Sequence, residues 1–220
     1  MADSSIPLAN QIIQGRPIAV ALDDDQERRL QSLVKETTMI DLHQHPMVKP
    51  KNPNQFLEYL RGDSYAWGYE AVRHGGFTAV GTANVYRGMA NTDEMSFIRF
   101  KDLIDEIRMM LSDIGLHDEV VRVSNADEIE YAKRNGKVGF LPTVEHLAIG
   151  NESKRVDELY DSGIRLAGLT YRRKNYIGDG HLERNDGGLS TFGIEVVQRM
   201  NELGMVVDLS HASFRTAMDA

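Results

Sequence analysis

The sequence predicts an α/β protein built around a parallel sheet, and three observations carry that expectation. Apolar runs rich in Val, Ile and Leu alternate along the chain with segments of helical periodicity. The runs are apolar on both faces, as in strands covered on both sides, rather than alternating with polar residues. Several of them end in residues that can carry chemistry, namely His43 with His45, Glu145, Tyr171 and His211. In a (β/α) barrel the C-terminal strand ends converge on one face, where catalytic groups gather.

Composition narrows the class. At 220 residues, 41% hydrophobic and 26% charged, the chain can bury a sizeable core. Its net charge of −8, with no basic block, argues against a nucleic-acid partner. With no cysteine, disulfides and thiolate zinc sites are excluded, so a metal must sit on His, Asp and Glu. No run is long enough for a membrane span and no secretory leader is evident, so a cytoplasmic enzyme or binding protein is the default expectation. A homo-oligomer stays open.

The elements follow in order. Residues 1–18 read as a loose leader, and residues 22–34 as a charged helix whose Asp23 to Asp25 oppose the macrodipole. We therefore divide the chain into a leader with a helix, 1–36, and a partial barrel domain, 37–220. Residues 39–42 form the opening strand, closed after His43 and His45 by Pro46. Residues 49–63 read as a loop holding a short helix at 54–60. Tyr65, Trp67 and Tyr69 suit buried aromatic surface better than a pocket wall. After the Gly75-Gly76 break, residues 77–85 read as a second strand. Residues 93–111 read as a helix capped by Asn91-Thr92-Asp93, with Met95, Ile98, Leu103, Ile107 and Leu111 as its stripe. A strand at 120–123 precedes a helix at 124–134 capped by Ser124 and stopped at Asn135-Gly136. A strand at 137–144 ends in Glu145-His146. A helix at 153–161 leads to a strand at 164–170 and Tyr171. The polar loop 172–189, with Gly178, Gly180, Gly187 and Gly188, is long enough to be functional, and at the barrel mouth it either recognises substrate, the reading we favour, or covers the opening. A helix at 191–203, a strand at 205–209 ending in Ser210-His211, and a last helix capped by Ser213 complete the chain. No Gly-rich phosphate loop follows the first strand, which disfavours a dinucleotide fold.

His43 and His45 leave their strand two residues apart, on one side, within reach of a single ion. Neutral imidazoles at that spacing are natural zinc ligands. With Glu145 and His211 on the same rim they make a hydrolytic metal site, in which a carboxylate can bridge two ions. His74, His117, His146 and His181 lie in or beside polar loops and read as exposed or locally bonded. His146 is the one to watch, because it abuts Glu145, although as a strand neighbour it would face the other way.

The segment Asp186-Gly-Gly-Leu-Ser-Thr-Phe-Gly193, with Met200-Asn-Glu-Leu-Gly-Met-Val-Val-Asp-Leu-Ser-His211 after it, resembles the membrane (renal-type) dipeptidase family of zinc metallopeptidases. Ile40-Asp-Leu-His43, the run 138–145 and the run 164–170 resemble earlier family motifs, in family order. The resemblance covers most of 38–220 and is thin between 48 and 123. It implies a (β/α)8 TIM-barrel metal-dependent hydrolase, truncated after about six strands, with a binuclear zinc centre that hydrolyses the amide of a dipeptide. By that resemblance His43 and His45 bind one ion, Glu145 bridges and so holds the catalytic water's site, His211 binds the second ion, and Tyr171 contacts substrate. The family's usual Asp is replaced by His45, its substrate-contacting His by Tyr171, and the glycines after its Glu by His146-Leu147. Relatives continue past the position of Ala220, supplying a further histidine, an aspartate and an arginine. Two other readings stand beside it: an amidohydrolase or lactonase acting on a non-peptide substrate, and a non-catalytic fragment.

Overall fold

The computed structural model describes residues 6–12, 20–92 and 94–220. The leader therefore lies largely outside the described residues, as does Asp93 of the expected cap. What is described of the leader runs beside the following loop, with Leu8 bridged to Pro50. Helix α1 (Asp24–Glu36) opens on a full capping box, in which Asp23 accepts from Gln26 N and the Gln26 side chain accepts from Asp23 N. A 3₁₀ turn (Pro53–Gln55), α2 (Phe56–Leu60) and α3 (Tyr69–His74) follow the first strand.

Seven short strands are described, every pair parallel. They are β1 (Ile40–Asp41), β2 (Ala79–Gly81), β3 (Val120–Arg122), β4 (Val138–Leu141), β5 (Thr143–Val144), β6 (Leu166–Gly168) and β7 (Val206–Asp208). They form one sheet in the order β1-β2-β4-β3 and another in the order β5-β6-β7. The run expected as one strand at 137–144 is thus split. Pro142, which has no N–H to give a ladder, separates β4 from β5. A parallel bridge between Asn84 and Val144 joins the two sheets into one arc. Among the described residues β1 pairs only with β2 and β7 only with β6, so the arc is a barrel that is not closed.

The remaining helices are α4 (Tyr86–Met89), α5 (Phe100–Ile114), α6 (Ala126–Arg134), α7 (Lys154–Asp161), α8 (Thr191–Leu203) and α9 (Phe214–Asp219). Two expectations need correction. The helix expected from residue 93 begins at Phe100, after a 3₁₀ turn (Met95–Phe97) and an extended Ile98 with ψ 150°. Ile98 leaves the helical path to pack on Gly88 of α4, where a Cβ would come within 2.7 Å of its side chain. The cap of α6 is Asn125, which accepts from Glu128 N, while the Glu128 carboxylate takes Ser124 N and Oγ. Helix α8 matches its expected span, with Ser190 as N-cap and Gly204 in the left-handed region at φ 70°.

The larger apolar core packs α5, α7 and α8 against β5 and β6, through Leu103, Ile107, Leu159, Ile164 and Met200. A second cluster holds Tyr65, Trp67 and Tyr69 with Phe140. Tyr65, Trp67 and Tyr69 are buried as expected, and with Asp113 and His117 they also line a cavity of about 970 Å³.

Candidate metal centre

His43, His45, Glu145 and His211 all sit just past C-terminal strand ends, and glycines in the neighbouring strands let their backbones pass close. A Cβ on Gly81 would lie 2.2 Å from Leu42 O, and one on Gly168 would lie 2.0 Å from Glu145 O. Only glycine fits either crossing. The turn after β1 is then fixed by Gln44 N donating to Gly81 O, and by His43 N donating to Asp41 Oδ1. The turn after β5 is fixed by Leu147 N donating to Gly168 O at 2.7 Å.

The fold brings the four expected residues together. One ligand atom from each of His43, His45 and Glu145 lies within 4.8 Å of the others. His45 Nε2 is 3.7 Å and His211 Nε2 3.2 Å from the same Glu145 oxygen, so this carboxylate stands between two imidazoles. The 970 Å³ cavity contains none of the four, whereas a smaller one of about 360 Å³ reaches His45 beside Pro46 and Val72.

Sequence reasoning missed Asp208. Its Oδ2 lies 3.0 Å from His43 Nδ1, and its Oδ1 accepts from Ser210 N. The signal was present, because an acid within the apolar run 205–209 needs a partner. Burial raises the Asp208 pKa, but the hydrogen bonds from His43 and Ser210 outweigh it and hold the group at about 2. The same hydrogen bond raises His43. Burial works against ionised Glu145, yet its hydrogen bond with His45 and the surrounding imidazoles win and lower its pKa. Burial lowers the His211 pKa, against the pull of Glu145. The donor set therefore fits a divalent metal ion: an ionised carboxylate, imidazoles, and a carboxylate that orients one imidazole through its other nitrogen.

Tyr171 packs its ring 4.6 Å from His211 and 5.5 Å from His146. Burial, with Glu145 nearby, raises its pKa and keeps the phenol protonated. His74 and His117 are exposed, as expected. His146 corrects the expectation: it is fully buried, neither ring nitrogen has a hydrogen-bond partner among the described residues, and burial pushes it down to about 4. Its ring stacks on Tyr171, which packs in turn on His211. His181 is exposed, stacked 5.4 Å from His211, with its backbone N donating to His211 O.

A second group that the sequence left unread is Glu106 of α5. It is fully buried and accepts from Asn84 Nδ2, Val85 N and Arg87 N. Burial pushes it up to about 7. Asn84 in turn donates its N to Thr143 O and accepts from Glu145 N, so Glu106 braces the strand that delivers Glu145.

An uncharacterized dipeptidase of Schizosaccharomyces pombe is 38% identical over 99 residues, which is 43% of this chain and 24% of that one. An amidohydrolase from Pseudomonas aeruginosa superposes with a TM-score of 0.65 at 26% identity, over 85% of this chain and 50% of that one. A metallo peptidase from Rhodobacter sphaeroides, liganded with a phosphinate mimic of the dipeptide L-Ala-D-Ala, shares the fold at a TM-score of 0.58 and 19% identity, over 83% of this chain and 61% of that one. The chain thus spans only part of its relatives, about half in the case of the amidohydrolase. Residues 27–220 match the family model for membrane dipeptidase, peptidase family M19, and the chain belongs to that family.

Proposed function

We propose that this chain carries the metal-binding half of a zinc-dependent, dipeptidase-like hydrolase. The observation that carries the reading is the meeting of His43, His45 and Glu145 ligand atoms within 4.8 Å. His43, His45 and Glu145 would hold one ion, and Glu145 with His211 would begin the site of a second. A bound divalent ion supplies a Lewis acid that polarises an amide carbonyl and acidifies a water. Zinc is the ion of choice because the donors are imidazole nitrogens and carboxylate oxygens.

The protein's own groups do the rest. His43 Nδ1 is engaged by Asp208, so Nε2 is the nitrogen it would offer to an ion. Glu145, ionised and nearly enclosed, reaches His45 and His211 from one oxygen and suits a bridging position. Tyr171 keeps its proton and can donate it in a hydrogen bond to a developing oxyanion.

The likeness to a metallo peptidase that holds a dipeptide mimic supports a dipeptide substrate, and L-Ala-D-Ala is the first to try. The likeness to an amidohydrolase supports a second reading, a non-peptide amide or a lactone. Metal analysis of the purified chain, followed by a panel of dipeptides and lactones on a full-length version, tests both. About two zinc per chain and dipeptide turnover are expected, in line with a two-metal site. One ion or none would favour a non-catalytic fragment, and turnover of lactones alone would favour the second reading.

A further inference from the structure

His211 stands in a conformation that its residue type does not favour. Ala212 N donates to Leu209 O at 3.1 Å, which closes a four-residue turn with His211 third. At φ 63° His211 occupies the left-handed region that such a turn normally gives to glycine. A non-glycine residue there costs roughly 1 kcal/mol or more, and persists only where its surroundings over-determine it.

Those surroundings come from the loop 172–189. His181 N donates to His211 O at 2.9 Å, and Gly180 forms a bridge with Ala212. Ser213 N donates to Asp179 O at 3.0 Å. Asp186 binds both the loop and the chain beyond His211. Its Oδ1 accepts from Ser213 Oγ at 2.5 Å and from Gly188 N at 3.2 Å, and its Oδ2 accepts from Arg215 N at 2.8 Å. Ser213 is the N-cap of α9 and Arg215 lies in its first turn, where the leading N–H groups have no partner within the helix. One carboxylate therefore anchors the start of α9 to the loop, and the turn bearing His211 is stretched between that anchor and β7.

We infer that the loop is a backbone clamp that holds His211 in its left-handed pose toward Glu145, with Asp186 as the positioning residue. Asp186 and the backbone at 179–181 reach the segment 211–215, and bonds such as Gly187 N to Asp179 Oδ2 hold the loop itself together. Asp186 bonds to Gly188, Ser213 and Arg215, none of them a candidate ligand, and acts on His211 through the chain that follows it. The inference rests on the reading of His211 as a metal ligand, but the clamp has a consequence that needs no metal.

The test compares the full chain with Asp186→Ala, Asp186→Asn and His211→Ala. Hydrogen exchange reads the clamp without metal. In Asp186→Ala the amides of Ala212 and Ser213 should exchange faster than in the wild type, while those of β6 stay protected. Asp186→Asn, which keeps one acceptor oxygen, should fall between the two, and it serves in place of the alanine variant if that fails to fold. Unchanged protection at 212 and 213 would overturn the inference. Zinc titration then reads the function of the clamp. Asp186→Ala should weaken binding about tenfold, the lower range for residues that orient a ligand. In the His211→Ala background it should weaken binding no further. An equal loss in both backgrounds would overturn positioning through His211. Zinc affinity indifferent to His211→Ala, with faster exchange still seen in Asp186→Ala, would sink the ligand reading and leave the clamp standing.

Discussion

His43 Nδ1 and Asp208 Oδ2 lie 3.0 Å apart, so the first strand of the arc is tied to the last at their C-terminal ends. The bond spans 165 positions of sequence and orients an imidazole at the same time. Replacing Asp208 by Asn keeps the shape but removes the charge that orients His43. Zinc affinity should fall about 10- to 100-fold, as for other carboxylates behind metal-bound histidines. Competition against a chelator measures it, and an unchanged affinity would show that His43 needs no orienting partner.

Gly168→Ala places a methyl group 2.0 Å from Glu145 O and must push β5 away from β6. We expect a loss of about 2–3 kcal/mol in urea unfolding, the range for overpacking a tight site, together with weaker zinc binding. Gly136→Ala is the control. Nothing lies within 4 Å of its Cβ and only the strain of φ 62° remains, so it should cost about 1 kcal/mol.

The buried Glu106 makes stability depend on pH. Its folded pKa, about 7, stands above the ordinary 4.5. The folded state therefore holds the proton more tightly than the unfolded chain. That stability is fully present below pH 4.5 and is lost as the pH rises through about 7. Between pH 5 and 8 the wild type should lose on the order of 3 kcal/mol relative to Glu106→Gln. Parallel melting curves for the two proteins across that interval would refute the burial argument.

His146 has no hydrogen-bond partner among the described residues for either ring nitrogen. Exchanging it for an apolar side chain of similar size removes two buried polar atoms, and the one backbone group it approaches is that of Met95. His146→Leu should therefore stay within about 1 kcal/mol of the wild type at pH 7, or gain slightly. A loss of about 3 kcal/mol, typical of an uncompensated buried group, would reveal a partner for the ring.

The parallel α/β class and the strand-end residues were legible because strand periodicity and burial are local properties of the chain. His43, His45, Glu145 and His211 could be placed on one rim from their positions after apolar runs. Asp208 was hidden by its place inside such a run, where pattern reading registers the valines and passes over the acid. Glu106 was hidden in the same way, since Leu103, Ile107 and Met110 put it on the buried stripe of α5. The start of α5 was not legible at all. It depends on Ile98 meeting Gly88, a contact between segments that no local periodicity records. The left-handed pose of His211 likewise comes from a loop some 30 positions upstream, through its bond to His181.

Strands β1 and β7, at the two ends of the arc, have a practical consequence. Ile40 and Leu42 at one flank, and Val206 and Leu209 at the other, are each more than two-fifths exposed. Beside them, among the described residues, run peptide groups that no neighbouring strand engages. Such margins recruit extended segments from other molecules. In concentrated solution this polypeptide should stick to itself flank to flank. Light scattering that climbs with concentration, and that a lysine in place of Val206 suppresses, would be its signature.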